Sequence, residues 1–571
     1  MSFLHKNASF FGRIFSRAFA ALRAFSFREK IVVGTLLIVA IGAIGFWGVS
    51  IWRHMTVEIP AYGGMHIEGT VGNPLYINPA LAKANGPDYD LSRLVYSGLL
   101  EYAPDGKLRG DIAREWEVSE DGKTYTVFLR ENVLFHDGEP MNADDVVFTV
   151  DILKNLAYKS PLREPWLNVE ASRGADDYTV VFTLDIPRAD FPDLLTVGIL
   201  PKHLWEGVSP ENFALHRRNL EPVGTGPYRY ETSQKDADGK VLIFELAAFE
   251  EYYAKRPYID AFVFKFYPDR DSLLSAYRNK EVRSLSGIDA WEWENLGEYR
   301  KKLTLHSMRI PHYYVAYFNQ NKSKPLADER VREALSVACD HEKLLSEILS
   351  GRGLAMRVPF LSMAGSEDMS EEMRIEEAKR ILDEVGWMPG EDGVREKDGV
   401  RLEFDLLSAD WREFTMSADM LSAVWEQVGA RANVKVVPSY DLWNNYVKPR
   451  EYEALVFAHT TTLIPDLYPY WHSSRTKDPG LNLAVYKNDD LDALVEKLRT
   501  ARDENEREDI KRQIAEIFSD EHPSLYLFSP EYLYPVDRRV RGITVEEVSE
   551  NPDRFFGVEE WYMKTKRVLS E

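Results

Sequence analysis

Residues 113–149 read AREWEVSEDGKTYTVFLRENVLFHDGEPMNADDVVFT, and they combine three local signals. Trp116 to Ser119 and Thr124 to Leu129 flank Glu120-Asp-Gly-Lys123, so a β-hairpin is expected, with Gly122 relieving the turn. A third short strand is expected at Val133 to His136, ending at Asp137-Gly138. Asn142 is a helix N-cap by type. Asp144 and Asp145 then sit at the positive end of the helix dipole, and Val146, Val150 and Leu153 form one apolar stripe. This is a small α+β scaffold without a catalytic constellation.

Other segments extend the pattern in both directions. Asp88-Tyr-Asp-Leu-Ser-Arg-Leu-Val-Tyr-Ser-Gly-Leu-Leu100 precedes it. Leu200-Pro-Lys-His-Leu204, Pro222-Val-Gly-Thr-Gly-Pro-Tyr228, Arg330-Val-Arg-Glu-Ala-Leu335 and a helical Ala378 to Trp387 follow. In this order, over roughly residues 65 to 540, the chain resembles the solute-binding proteins of family 5, the oligopeptide, dipeptide and nickel receptors of ABC importers. The resemblance implies a mixed α/β fold of the periplasmic-binding-protein type II kind, with two lobes plus an extra α+β subdomain.

Length and composition agree. At the usual ~100 to 200 residues per domain, 571 residues call for two or three lobes. The single cysteine, Cys339, excludes an internal disulfide and a Cys-cluster zinc site. Ile31 to Trp52 is a run of 22 uncharged residues; as a helix it spans roughly 33 Å, enough for a bilayer core. Lys6, Arg13, Arg17, Arg23, Arg28 and Lys30 precede it against Glu29 alone, which places the N-terminus in the cytoplasm and the chain after Arg53 outside. Trp47 and Trp52 suit the outer interfacial belt. The competing reading is a cleaved signal peptide, whose apolar region is usually ~7 to 15 residues; the longer run here favours an uncleaved anchor. No cysteine follows it to receive lipid. The first 53 residues carry net +6 within a total of −22, leaving −28 beyond them. Such acidity disfavours nucleic acid and polyanionic ligands and mildly favours cationic ones, although an acidic solvated surface accounts for it better.

The expected organisation is a basic cytoplasmic segment (1–30), the anchor (31–52), a tether (53–65), lobe I (66–98, 206–311 and 525–571), the extra subdomain (99–205) and lobe II (312–524). Lobe II opens with the aromatic, β-branched strand His312 to Asn319 and then alternates strands with helices. Asp490 to Phe518 reads as two helices, whose charged run Arg502 to Arg507 is solvated surface or a turn between them. Ser524 to Tyr534 reads as a strand returning to lobe I, giving two crossings and hence a hinge. Pro222 to Tyr228 is either hinge-adjacent or an ordinary loop.

Enzyme motifs are missing: there is no Gly-x-Ser-x-Gly, no His-Glu-x-x-His and no Gly-rich dinucleotide fingerprint. Acidic pairs such as Asp144-Asp145 and Asp489-Asp490 are accounted for by helix starts. His136 reads as a turn residue, and a metal would have to use scattered histidines such as His312 and His459. No cofactor and no metal ligand set is expected. By the resemblance, Phe457 to Ser474 faces the ligand. Thr461 stands where peptide receptors place the aspartate that pairs with a ligand's α-ammonium, and Asp466 matches a second acidic position. A carboxylate–ammonium contact there is worth about 1.5 to 3 kcal/mol; otherwise Asp466 is a turn residue after Pro465. Tyr468, Tyr470 and Trp471 offer faces to the ligand or pack between lobes. Further candidates are Tyr313, Tyr314 and Asn319 on the opening strand, Trp291 beside Trp293, and Asn73 in the loop Gly72 to Pro79, which the family places near the cleft.

The function expected is the extracytoplasmic solute-binding component of an ABC importer, with peptides or another small solute, a permease and an ATPase as partners, and the cytoplasmic membrane held through Ile31 to Trp52. The alternatives are a tethered peptide sensor or chaperone-like binder, or a receptor for nickel or a metal complex.

Overall fold

The computed structural model describes residues 26–104, 106–365 and 369–570. The expected cytoplasmic residues Lys6, Arg13, Arg17 and Arg23 lie outside these. The chain divides into two compact units.

The smaller unit is built on the helix Phe27–Met55, which starts at a capping box: the Ser26 hydroxyl accepts from the Glu29 N–H, and the Glu29 carboxylate accepts from the Ser26 N–H at 2.7 Å. None of the helix's side chains is buried, as suits an all-round apolar surface. The expected tether 53–65 is largely ordered. The helix runs to Met55 and passes directly into the strand Thr56–Ala61, antiparallel to Lys564–Leu569. The C-terminal strand therefore belongs to this unit, where lobe I was expected. β-Branched Thr56, Val57 and Ile59 favour a strand, and the partner comes from the far end of the chain. Arg567 closes the joint: Nη2 donates to the carbonyls of Arg53 (3.0 Å) and Thr56 (2.8 Å), and the guanidinium lies 5.0 Å over the Trp52 ring.

In the larger unit, Tyr62–Met563, the described residues form two main sheets. The first runs Ser284–Leu285, Met65–Val71, Ala261–Tyr267, Val241–Ala248, Tyr228–Lys235, parallel around Met65–Val71 and antiparallel beyond. The second runs Leu303–Arg309, Ser524–Asp537, His312–Phe318, Ala454–Thr460, Glu403–Ala409, Arg431–Val437. Its long strand Ser524–Asp537 changes partner along its length: Ser524 to Phe528 pair with His312–Phe318, whereas Glu531 to Asp537 pair with Leu303–Arg309. The cores change at the same place. Met308, Tyr534 and Val536 pack into the core of lobe I, and Tyr313, Tyr526 and Phe528 into that of lobe II. Among the described residues, the lobes are thus joined at Ile310–Pro311 and Ser529–Pro530.

The extra subdomain is an antiparallel sheet, Ala113–Val118, Thr124–Leu129, Thr179–Leu184, Val169–Arg173. Gly122 turns the hairpin at φ +70°, and Asn142 caps Ala143–Lys154 in a capping box with Asp145. No strand forms at Val133 to His136. Leu134 makes one bridge to Pro140, whose missing N–H stops the ladder. His136 instead braces Pro222 to Tyr228. Its Nδ1 accepts from the Gly224 N–H at 3.3 Å, so the proton is on Nε2, which donates to the Gly226 carbonyl at 2.9 Å. Burial holds His136 at about 4, in its neutral form. Gly224 and Gly226 serve close approach: a Cβ on either would meet the carbonyls of Val95 and Leu94 at 2.2 and 2.6 Å. This turn joins the subdomain residue His136 to Leu94 and Val95 of lobe I.

Candidate functional site

Two adjoining cavities lie between the lobes, and Lys83, Tyr89, Thr460 and Glu550 are common to their walls. The inner cavity, about 860 Å³, is bounded by Tyr89, Asp90 and Ser286–Ala290 from lobe I, by His312, Tyr314, Trp411 and Glu413 from lobe II, and by Ile310 and Pro530 of the connections. The outer cavity, about 740 Å³, lies between Trp166, Arg188, Asp190 and Asp193 of the subdomain and Thr461, Asp466, Tyr470, Arg475 and Arg499 of lobe II. Both volumes fall within the range of small-molecule sites.

A buried charge cluster underlies the inner cavity. Arg554, fully buried, donates to both Asp90 oxygens (2.6 and 2.7 Å), to Glu68 (2.9 Å) and to the Asn551 carbonyl (3.0 Å). It thereby ties the strand Met65–Val71 to the helix Gly86–Val95 and the C-terminal segment. Tyr534 and His66 complete the Glu68 shell at 2.5 and 3.1 Å. Burial alone raises the Glu68 carboxyl, but Arg554, His66 and Tyr534 outweigh it and hold the group at about 2. His312 lines the cavity as a neutral imidazole: burial pushes it down to about 4, and Nδ1 lies 2.7 Å from the Thr460 hydroxyl.

The wall of the outer cavity is ionic. Arg93 pairs with Asp553 at 2.7 Å, Arg188 with Asp190 at 2.6 Å, Arg499 with Asp466 at 3.2 Å, and Lys83 with Glu550. Asp193 accepts from the Tyr102 hydroxyl, while its Oδ2 has no hydrogen-bond partner. Burial pushes its carboxyl up to about 7 against the opposing Thr462 hydroxyl and Arg507.

Of the residues expected at the site, Thr461 and Asp466 are in this wall. Thr461 donates its N–H to the Pro311 carbonyl at 2.9 Å, beside the inter-lobe connection. Asp466 does not offer a free carboxylate to an ammonium. Oδ2 is taken by Arg499, and Oδ1 accepts from the Tyr468 N–H at 3.1 Å, the turn geometry that follows Pro465. Burial raises its carboxyl, with Arg499 pulling the other way. Tyr468 stands behind the wall; its ring stacks on His472 at 4.3 Å and has the guanidiniums of Arg499 (4.8 Å) and Arg475 (5.0 Å) near it. Trp471 is core: it is 1% exposed, Nε1 donates to the Tyr526 hydroxyl at 3.2 Å, and Phe518 meets its ring edge-on.

Of the remaining candidates, Tyr470 lines the outer cavity and Tyr314 the inner one, and the others stand outside both. Tyr313 packs on His459 and Tyr526 at the edge of a smaller cavity, and its neighbour Tyr314 lines the inner cavity. Asn319 is buried, donating to the Arg450 carbonyl at 3.2 Å. Trp291 is exposed on Ala290–Asn295 next to cavity residues Asp289 and Ala290. Asn73 donates to the Val241 carbonyl at 2.5 Å and so fixes its loop to the first sheet. Tyr89, Trp411, Arg475 and Arg499 escaped the sequence reading. Tyr89 lies inside the quoted Asp88 to Leu100 segment, but the other three have no local signal.

A two-lobed mixed α/β chain with a cleft at paired inter-lobe connections is a binding protein of the periplasmic type II architecture. The sequence profile of the bacterial extracellular solute-binding proteins, family 5 (middle part), matches residues 107–480, and the chain belongs to that family. It is 25% identical over 518 residues to the oligopeptide-binding protein AppA of Bacillus subtilis, covering 88% of this chain and 92% of that one. To the dipeptide-binding protein of Escherichia coli it is 27% identical over 542 residues, covering 87% and 95%. The structure of NikZ from Campylobacter jejuni in complex with Ni(L-His) superposes with a TM-score of 0.68 at 24% identity, covering 87% of this chain and 99% of that one.

Proposed function

We propose that this protein is the extracytoplasmic binding component of an ABC importer, that it captures peptides by closure of its lobes, and that it hands them to a permease served by an ATPase without catalysing a reaction. The observation that carries this reading is the pair of adjoining cavities, the inner one lined by Ile310 and Pro530 of the two inter-lobe connections, where two short segments can swing the lobes about a ligand. Closure is driven by a ligand that binds the closed arrangement better than the open one. The peptide-binding relatives, similar along most of their length, support the solute class. The apolar, fully exposed helix Phe27–Met55 supports an uncleaved anchor with the lobes outside the membrane. Thr461 and Asp466 form part of the ligand wall in this reading, Asp466 through the guanidinium it holds.

Native mass spectrometry of the full-length chain released from detergent tests the reading. Bound peptides, recovered uncleaved, are expected; recovery of a metal complex or a sugar instead would overturn the peptide assignment.

A further inference from the structure

We propose that the two ends of the chain together build a binding surface for anionic phospholipid headgroups where the anchor leaves the bilayer, formed by Lys564 and Lys566 with Arg53 and Arg567. This rests on the anchor reading above, and the lipid is that of the bilayer the helix crosses.

Position is the first argument. The uncharged run ends at Trp52, and the helix continues through Arg53 and His54 to Met55 before passing directly into the strand Thr56–Ala61. At ~1.5 Å per residue those last residues rise roughly 4.5 Å above the hydrocarbon, while the headgroup zone on each side of a bilayer is about 5 to 7 Å deep. The strand therefore begins in the headgroup layer. Pairing brings the far end of the chain to it: Leu569 lies opposite Thr56, Arg567 opposite Glu58, Lys566 opposite Ile59 and Lys564 opposite Ala61. At about 3.4 Å per residue the furthest of these backbone positions is ~17 Å along the ribbon from the helix end. The Arg567 guanidinium reaches back further still, to 5.0 Å over the ring of Trp52, an aromatic of the kind that marks the interface.

Charge is the second argument. Residues 53–61 and 564–570 hold Arg53, Lys564, Lys566 and Arg567 against the single acid Glu58, in a chain that carries net −28 beyond residue 53. Positive charge is thus gathered at the membrane end, where it complements anionic headgroups. The two faces of the ribbon are finished differently, since opposed residues of an antiparallel pair share a face. On one face the Thr565 hydroxyl donates to Glu58, and Arg567 Nε donates to the Thr56 hydroxyl at 2.9 Å, so its polar groups satisfy one another. The other face carries Val57, Ile59, Ala61 and Val568 together with Lys564 and Lys566. Val57 is 49% exposed, both lysines are exposed, and among the described residues neither has a carboxylate partner. β-Branched side chains edged by lysines suit a lipid surface, which takes up the apolar stems and offers phosphates to the ammonium groups.

The test uses the full-length chain in nanodiscs of phosphatidylcholine alone and of an equal mixture with phosphatidylglycerol, with amide hydrogen exchange read over residues 56–61 and 564–569. Exchange there is expected to be about fivefold or more slower in the anionic discs, and the protection should fade at high salt. It should be lost in the double variant Lys564→Gln, Lys566→Gln and kept in Lys564→Arg, Lys566→Arg, with unchanged thermal midpoints showing that both fold. Equal exchange in the two kinds of disc, or protection that survives the double glutamine substitution, overturns the headgroup surface and leaves the anchor intact. A chain that does not enter the discs and stays in solution overturns the anchor reading, and this proposal with it.

Discussion

Two charge clusters border the same cleft and are finished differently. Beneath the inner cavity, Arg554 spends both Nη groups on Asp90, Glu68, Ser286 and a carbonyl. In the wall of the outer cavity, Arg499 is cancelled by Asp466 while Arg475 is not. Burial alone therefore does not distinguish structure from site. The difference lies in the partners: Arg554 joins three chain segments through two carboxylates, whereas Arg475 lies against the Tyr468 ring in a wall where Glu164, Asp185 and Asp193 add to the paired acids.

Breaking the Arg554 cluster should have the largest effect. Arg554→Met leaves Glu68 and Asp90 buried without their cation and is expected to cost about 3 to 5 kcal/mol, seen as a fall of several degrees or more in thermal midpoint, or as failure to accumulate. A midpoint within a degree of wild type would mean that the Arg554 cluster stabilises no more than the wall of the outer cavity. Acid probes the same cluster more gently. The folded Glu68 carboxyl, at about 2, lies below its unfolded value, so its contribution is fully present above the usual carboxylate range and is lost as pH falls through that range toward 2. The loss is on the order of 3 kcal/mol. Urea midpoints at pH 5 and pH 3 capture about 2 kcal/mol of it, the rest being lost nearer pH 2, and Glu68→Gln should flatten the difference.

Legibility in the sequence followed the range of the interaction. The Gly122 hairpin and the Asn142 cap are set by neighbours along the chain and could be read there. The ordering of residues 56–61 could not, because its partner is 564–569. At the site, Thr461 and Asp466 were legible as wall residues only through the family's spacing. That Asp466 is already paired depends on Arg499 from a separate helix. Trp471 and Asn319 show the converse problem: an aromatic or an amide suits a core as well as a wall, and only the three-dimensional packing tells them apart. Arg507, part of a charged run read as solvated surface or turn, is buried and donates to the carbonyls of Leu498 (3.2 Å) and Ala501 (3.1 Å) at the end of the preceding helix.

Arg502 sharpens the comparison as a guanidinium completed by backbone alone. It donates to the carbonyls of Ser119 and Glu120, each at 3.0 Å, and so clasps the hairpin turn of the subdomain from lobe II. Because the group is exposed, Arg502→Ala is expected to cost only about 1 kcal/mol. Its effect should be local: faster hydrogen exchange at Gly122 and Lys123, with the global midpoint nearly unchanged. Undisturbed exchange at the turn would show that the clasp does not hold it.

Asp466→Asn should do least, and it separates the two clusters most directly. If Asp466 serves to cancel Arg499, the substitution leaves a second unpaired guanidinium on the Tyr468 ring, and affinity for free-acid peptides is expected to stay within about threefold of wild type, rising if it moves. The direction is informative because an ammonium anchor predicts the reverse. Removing a carboxylate that contacts the ligand's α-ammonium would weaken every peptide by about tenfold or more, whether its C-terminus is an acid or an amide. Titration of a free-acid peptide and its C-terminal amide into wild type and Asp466→Asn reads the sign. A uniform loss would make Asp466 a ligand contact and show that its pairing with Arg499 gives way when peptide enters the cleft.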